Sequence, residues 1–186
     1  MINDNPMFDE VGVDGTPGTY KYGDWKKCAV HNDKEIRGFF GPYRFLSNFQ
    51  LCLVSFGGTF YTSAEAAYQA SKVIPEHRDG FQTCTPTESK TLWKDPKLTR
   101  IYTAEEWDTV KYDIMLVILM DKFYRNVDLR KKLILTGDAY LEELNWWSDS
   151  YWGVDVRKGG CNNLGHQLMM IRKLWSIGPN SLSQPK

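Results

Sequence analysis

The chain has 186 residues, 42% of them hydrophobic and 25% charged, which suits one soluble domain with a real core and is short for two. Lysine plus arginine equals aspartate plus glutamate at 23 each, so the formal net charge is zero and the basic excess of a duplex-binding protein is absent. Cys28, Cys52, Cys84 and Cys161 form no CxxC pair and the histidines are scattered, so no zinc-site spacing can be drawn.

Residues 1 to about 35 are acidic, Gly-rich and weakly patterned, and read as a partly ordered extension in which Gly15–Trp25 can form a short hairpin. The opening "MINDNPMFDE" has neither a basic nor an apolar signal region, and the longest apolar run, Ile114 to Met120, is too short to span a bilayer. The expectation is a cytoplasmic protein with reduced thiols and no membrane partner. A domain is expected over 36–178. Gly38–Phe49 mixes aromatics with turn formers and suits a short strand plus loop. "LCLVSFGGTFYTS" is the best hairpin, two β-rich runs around Gly57-Gly58.

Thr62-Ser63-Ala64-Glu65 reads as a capping box, Thr62 closing the helix start and Glu65 reaching back to it. Glu65, Gln69 and Lys72 recur at i, i+4 and i+7 and share one side of that helix. Ala64, Ala66, Ala67, Ala70 and Ser71 fill the opposite face, small enough to wedge the helix into a core. The polar stripe then faces either a cleft or plain solvent, and periodicity does not choose between them. Pro75 and Pro86 divide the next stretch into short helices or turns. Thr103 to Glu106 is a second capping box, opening a helix to about Tyr124 whose "IMLVILM" is apolar on every side and belongs at the centre of the domain. A further helix is expected over Asp128–Leu135, stopped at Thr136-Gly137. The last runs from about Asn163 to Trp175, with Leu164, Leu168, Ile171 and Trp175 on one side and Gly178-Pro179 as its stop; 179–186 reads as a disordered tail. The fold class is α+β, a helix-dominated single domain with a small antiparallel sheet.

Two further clusters carry chemistry. In "NWWSDSYWGVD" Asp149 sits among Trp146, Trp147, Tyr151 and Trp152, which suits a loop lining a pocket, with a turn or N-cap as the alternative for the carboxylate. "KGGCNNLG" is a glycine-containing loop running into a helix, able to hold a phosphate on its N-terminal N–H groups or to be an ordinary helix start. The aromatic content of 14%, with seven Trp, offers flat surfaces for a base or sugar.

"FLSNF" (Phe45–Phe49), "TSAEAAYQASK" (Thr62–Lys72), Trp107, Lys122-Phe123, "SDSYWG" (Ser148–Gly153) and "NNLGHQLMMIR" (Asn162–Arg172) come in an order that resembles the NADAR, or YbiA-like, superfamily from about Phe39 to Trp175. The resemblance implies N-glycosidase chemistry on a ribose C1′–N bond, in a ribosylamine phosphate of riboflavin synthesis or in ADP-ribose attached to guanine. It matches Glu65 and Asp149 to the family's acids, Trp107 to its helix-start aromatic and Asn48 to its polar loop residue. Two departures stand out: Ala66-Ala67 where bulky aromatics often follow the glutamate, and Trp93-Lys94 where a Gly-Arg pair is expected.

Glu65 is expected to stabilise oxocarbenium charge and activate water, and Asp149 to orient a ribose hydroxyl or assist the leaving group. Trp107 and Trp152, with Gly153 beside it, would stack on the base or exclude water. Asn48, Gln69 and Asn162 would hydrogen-bond to substrate, and Lys72 or Arg44 would neutralise a phosphate; Lys72 as an imine-forming nucleophile is the variant. Neither a metal nor a cofactor is implied. The partner is a small nucleotide or ADP-ribosyl compound, free or as ADP-ribosylated nucleic acid. The rival readings are a non-catalytic ADP-ribose or nucleotide-binding module and an interaction scaffold using its aromatic loop.

Overall fold

Polar Asn32 closes the first turn of the sheet by accepting the Lys34 and Glu35 N–H groups on its Oδ1 (2.8 and 2.9 Å). It joins β1 (Val30–His31) to the antiparallel β2 (Glu35–Arg37). The computed structural model describes residues 24–177, so the extension through residue 23, most of the Gly15–Trp25 hairpin, the Gly178-Pro179 stop and the 179–186 tail lie outside the described residues. Strand β2 ends at Gly38, whose φ of 95° only glycine adopts without strain. A 3-10 helix then runs Gly41–Leu46, with Pro42 fixing its first turn. Gly38–Phe49 thus contains no strand of its own: the extended segment ends just before it, and Pro42 favours a tight helical turn.

The hairpin around Gly57-Gly58 forms as β3 (Leu51–Phe56) and β4 (Thr59–Ser63). Both glycines have positive φ (59° and 80°), the pattern of a two-residue turn whose twist matches that of the strands. Val54 and Tyr61 face inward and are buried, while Leu51, Leu53 and Phe60 face out. Strand β4 runs directly into α1 (Ala64–Ala70).

The cap of α1 differs from the sequence expectation by one residue. Ser63, not Thr62, is the N-cap, its side chain accepting the Ala66 N–H (3.1 Å). The reason is the strand: the ladder with β3 extends to Ser63, so side-chain alternation turns Thr62 the other way, where its hydroxyl donates to the Cys84 carbonyl. Glu65 is therefore free of capping duty. The alanine face and Ser71 are buried, and α1 packs against β3, β4, α2 (Pro86–Leu92) and α3 (Ala104–Arg125).

Both capping-box bonds form at α3, Glu106 N–H to Thr103 Oγ1 (3.2 Å) and Thr103 N–H to Glu106 Oε2 (2.8 Å). Helix α2 carries a second box, Thr85–Glu88, within the stretch expected as short helices or turns. Helix α3 is central, touching β3, α1, α4 (Val127–Leu135) and α5 (Asn163–Ile177). Its apolar run is not enclosed all round, however: Met115, Ile118, Leu119 and Phe123 are buried while Val117 is 55% exposed. Gly137 (φ 58°) follows the end of α4 as expected.

After α4 the chain returns as β5 (Tyr140–Glu142), parallel to β2, with an Arg37–Glu142 ion pair of 2.8 Å across the join. Two short parallel segments follow, β6 (Leu144–Asn145) and β7 (Val154–Asp155). The result is the expected helix-dominated α+β domain, with these parallel pairings added to the antiparallel ones. Its consequence is local: the 143–155 segment meets α1 through Trp152 and Tyr68.

Candidate active site

The α1 stripe is a hydrogen-bonded relay. Gln69 Nε2 donates to Glu65 Oε1 (2.6 Å), and Lys72 Nζ donates to Gln69 Oε1 (2.7 Å). Glu65 and Gln69 are only 7% and 4% exposed, so the stripe faces the interior of the site and not solvent. Burial raises the Glu65 carboxyl above its ordinary 4.5, opposed by Lys90, the Gln69 bond and Lys72, and reinforced by Asp149. Lys72 lies over three rings, Trp93 at 4.2 Å, Tyr68 at 4.9 Å and Trp107 at 5.3 Å. Its burial lowers the ammonium to about 8.

The loop after the 3-10 helix closes on the start of α1, the Glu65 N–H donating to the Asn48 carbonyl (3.0 Å). Asn48 is buried; its Nδ2 meets the Met115 sulfur (3.5 Å) and its Oδ1 has no hydrogen-bond partner. Beside it the Arg44 guanidinium and the Lys90 ammonium both lie over the Phe49 ring, at 5.8 and 5.6 Å. Beneath, the fully buried Lys122 donates to the Ser47 carbonyl (2.8 Å), its ammonium lowered to about 8 by burial.

The aromatic loop supplies the facing wall. Asn145 clasps Asp149 through two bonds, Nδ2 to the Asp149 carbonyl (2.7 Å) and the Asp149 N–H to Oδ1 (3.1 Å). Asp149 Oδ1 in turn accepts from the Tyr151 and Trp152 N–H groups (3.2 and 2.9 Å). Asp149 thus takes the turn role, while its charge acts on the carboxyls of Glu65 and Glu143. Trp152 meets Tyr68 of α1 edge-on at 5.6 Å, and Tyr68 packs on Trp107 at 5.2 Å, so the three rings join the loop to the Glu65 helix.

Two residues expected to touch substrate are committed to the protein. Asn162, with φ 52°, uses its Oδ1 to accept the Glu143 N–H (3.1 Å) and its Nδ2 to donate to the Leu141 carbonyl (2.8 Å) and the Tyr140 hydroxyl (3.0 Å). Both ends of its amide are thus engaged by the protein, and it positions backbone. Gly153 is buried against Glu143: an added Cβ would collide with the Glu143 carbonyl and lie 2.7 Å from Asn145 Nδ2. The glycine is required for this close approach. The phosphate reading of the α5 N-terminus also gives way, because the Asn162, Asn163 and Leu164 N–H groups donate to the carbonyls of Gly153, Tyr151 and Trp152.

Glu143, absent from the sequence-derived set, emerges here. Its Oε2 is enclosed without a hydrogen-bond partner, and burial followed by the like charge of Asp149 raises the carboxyl to about 8, against Arg44 and Lys122. The available signal was a Glu pair inside the apolar run Tyr140–Leu144. Lys90 was missed likewise. Among the described residues no three His, Cys, Asp or Glu come close enough to hold a metal ion. A groove of about 470 Å³ bounded by Asn32, Tyr43, Lys132 and Leu135 is separate and contains none of these groups. No helix among the described residues is long and apolar enough to cross a membrane.

The NADAR domain family matches residues 32–175. An N-glycosidase of Nostoc punctiforme is 32% identical over 137 residues, covering 71% of this chain and 85% of that protein. A riboflavin biosynthesis protein of Vibrio vulnificus is 30% identical over 141 residues, 75% of this chain and 38% of that longer protein. The N-glycosidase YbiA of Escherichia coli is 28% identical over 137 residues, 73% of this chain and 83% of YbiA. The NMR structure of E. coli YbiA matches with a TM-score of 0.67 at 26% identity, covering 85% of this chain and 93% of that one.

Proposed function

The chain belongs to the NADAR domain family, and from that premise we propose that it is an N-glycosidase hydrolysing the ribose C1′–N bond of an ADP-ribosyl or ribosylamine-phosphate compound. The observation that carries the reading is the Glu65–Gln69–Lys72 relay, a buried carboxylate held at 2.6 Å by an amide and faced by an aromatic wall. As the C1′–N bond lengthens, positive charge grows on the sugar. A carboxylate in low-dielectric surroundings stabilises that charge strongly. Burial that raises the Glu65 carboxyl also makes its anion a better base toward the attacking water.

Asp149, with one oxygen fixed by two backbone N–H groups, orients a ribose hydroxyl through the other. Trp107 and Trp152 stack on the leaving base or close the site against water. Asn48 Oδ1 accepts from a hydroxyl or base N–H, which satisfies an acceptor that the protein leaves unpaired. Arg44, with Lys90 on the same ring, receives phosphate. ADP-ribosylated guanine and a riboflavin-pathway ribosylamine phosphate both present this combination of ribose, phosphate and nitrogen base.

The ammonium of Lys72, lowered to about 8, favours a second mechanism for the same cleavage. An appreciable neutral fraction at pH 7 lets Lys72 attack an opened sugar and form an imine. Mass spectrometry of released base from both substrate types tests the function, with Glu65→Gln expected to abolish release. Borohydride trapping of a protein–sugar adduct, lost in Lys72→Met, selects the imine route. A wild type that releases no base yet binds ADP-ribose in calorimetry refutes the enzyme and leaves a binding module.

A further inference from the structure

We propose that Glu143, and not Asp149, is the acid partner of Glu65, a neutral carboxylic acid that protonates the leaving nitrogen. The assignment rests on the N-glycosidase reading above and adds a residue to it. Geometry carries it first. Glu143 follows β5 directly, and three separate features pin it there. Asn162 Oδ1 holds its N–H (3.1 Å), its carbonyl accepts the Val154 N–H (2.8 Å), and Gly153 leaves just enough room for its backbone and Cγ. A side chain anchored this way ends in an oxygen that is enclosed and has no hydrogen-bond partner. An ionised carboxylate left so would be far more costly than a protonated one waiting for an acceptor.

The charged groups facing it come from four other segments: Asp149 of the aromatic loop and Glu65 of α1 with like charge, Arg44 of the 3-10 helix and Lys122 of α3 with opposite charge. Neither cation forms an ion pair with it among the described residues. Burial raises Glu65 as well, but Glu65 has a direct Gln69 donor, and Lys90 and Lys72 oppose the rise. The carboxyl that accepts a direct hydrogen bond suits the base role, and the one without a donor suits the acid role. Asp149 Oδ1 is tied to two backbone N–H groups, so this residue serves better as the fixed negative charge that keeps Glu143 protonated.

The step balances without a further reactant. The C1′–N bond breaks with its electron pair going to nitrogen, which takes the Glu143 proton. Water oxygen bonds to C1′ and gives its proton to Glu65. Glu65 then releases that proton to solvent and Glu143 recovers one, so the net change is one water consumed, one sugar hydroxyl and one N–H formed.

The test uses the full chain, with ADP-ribosylated guanosine and a ribosylaminopyrimidine phosphate as probes. In wild type, kcat falls on the alkaline side with a midpoint near 8. Glu143→Gln lowers kcat by about 10²–10⁴ with little change in KM, and its residual rate no longer falls there. Glu143→Asp keeps the alkaline limb. A Glu143→Gln enzyme within about threefold of wild type and with the limb intact overturns the assignment, while loss of turnover in Glu65→Gln keeps the parent reading standing. A wild type that cleaves neither probe overturns both. Should Glu143→Gln not fold, carboxyl-labelled glutamate NMR of the wild type decides: a carboxyl titrating near 8 supports the assignment, and none above about 6 overturns it.

Discussion

Glu143→Gln also tests the electrostatics of the site in the absence of any substrate. Burial, and then Asp149, raises this carboxyl from 4.5 to about 8. A carboxyl with the higher pKa in the fold holds its proton there after the unfolded chain has lost it. Its contribution to stability is complete below about 4.5 and is lost as pH rises through about 8. At roughly 1.4 kcal/mol per pH unit, the penalty is about 3 kcal/mol at pH 7 and at most about 5 kcal/mol above pH 8. Glutamine has no such titration. Its amide, placed where Oε2 lacks a partner, adds a pH-independent loss of about 1–2 kcal/mol. Slope, not height, is therefore the signal. Urea unfolding followed by tryptophan fluorescence, repeated between pH 4.5 and 8.5, reads it directly. The stability of the variant minus that of wild type should grow by about 3 kcal/mol between pH 5 and 7.5. Curves that stay parallel within about 0.5 kcal/mol over that range refute the argument, because Glu143 would then be as ionised in the fold as in the unfolded chain.

Lys72→Met should abolish turnover while stabilising the fold by up to about 3 kcal/mol at pH 7; the lowered ammonium penalises folding below its ordinary 10.5, so the gain shrinks as pH rises through 8 toward 10 in the same unfolding assay. Ser63→Ala should cost about 1 kcal/mol in urea unfolding through loss of the Ala66 cap, and a stability unchanged from wild type would count against Ser63 as the cap. Gly153→Ala should cost about 2–3 kcal/mol in the same assay, since its methyl would enter the space held by Glu143 and Asn145, and should lower kcat by displacing Glu143.

The parts of this molecule that could be read from sequence are those whose cause is local. Gly57-Gly58 sets its hairpin, Thr103 and Glu106 cap their helix, and the Leu164, Leu168, Ile171 and Trp175 stripe spaces itself. Thr62 against Ser63 is a different matter. Both are good caps, and the choice was made by the β3 ladder, which a helix-centred reading ignores. The β2–β5 pairing joins strands of three residues across most of the chain, with no alternation long enough to announce it. In the site, Glu65, Gln69 and Lys72 were visible because helix geometry alone puts them together. Glu143 was invisible for the opposite reason: its character comes from burial in the fold, and then from Asp149, Arg44, Lys122 and Glu65, none of them adjacent to it in sequence. The backbone groups that Asn162 and Gly153 face were not legible either, since a motif marks a position without saying what packs against it.

The buried ionisable groups around Glu65 share a feature that stability alone does not account for. Glu65, Lys72, Lys122 and Glu143 form no ion pair with one another, although both signs of charge are present. Direct pairing would relieve the desolvation of each and collapse their proton affinities toward the fully charged state. Held apart, with Gln69 between Glu65 and Lys72 and with Lys122 donating to the Ser47 carbonyl, the lysines and Glu143 instead remain near the pH at which protons move. Such an arrangement costs stability and supplies chemistry, the exchange usual at active sites. It also explains why two substitutions expected to cost activity, Glu143→Gln and Lys72→Met, are expected to make the fold less sensitive to pH. If either residue were merely structural, its removal would lower stability across the whole range, and activity would fall only in step with it.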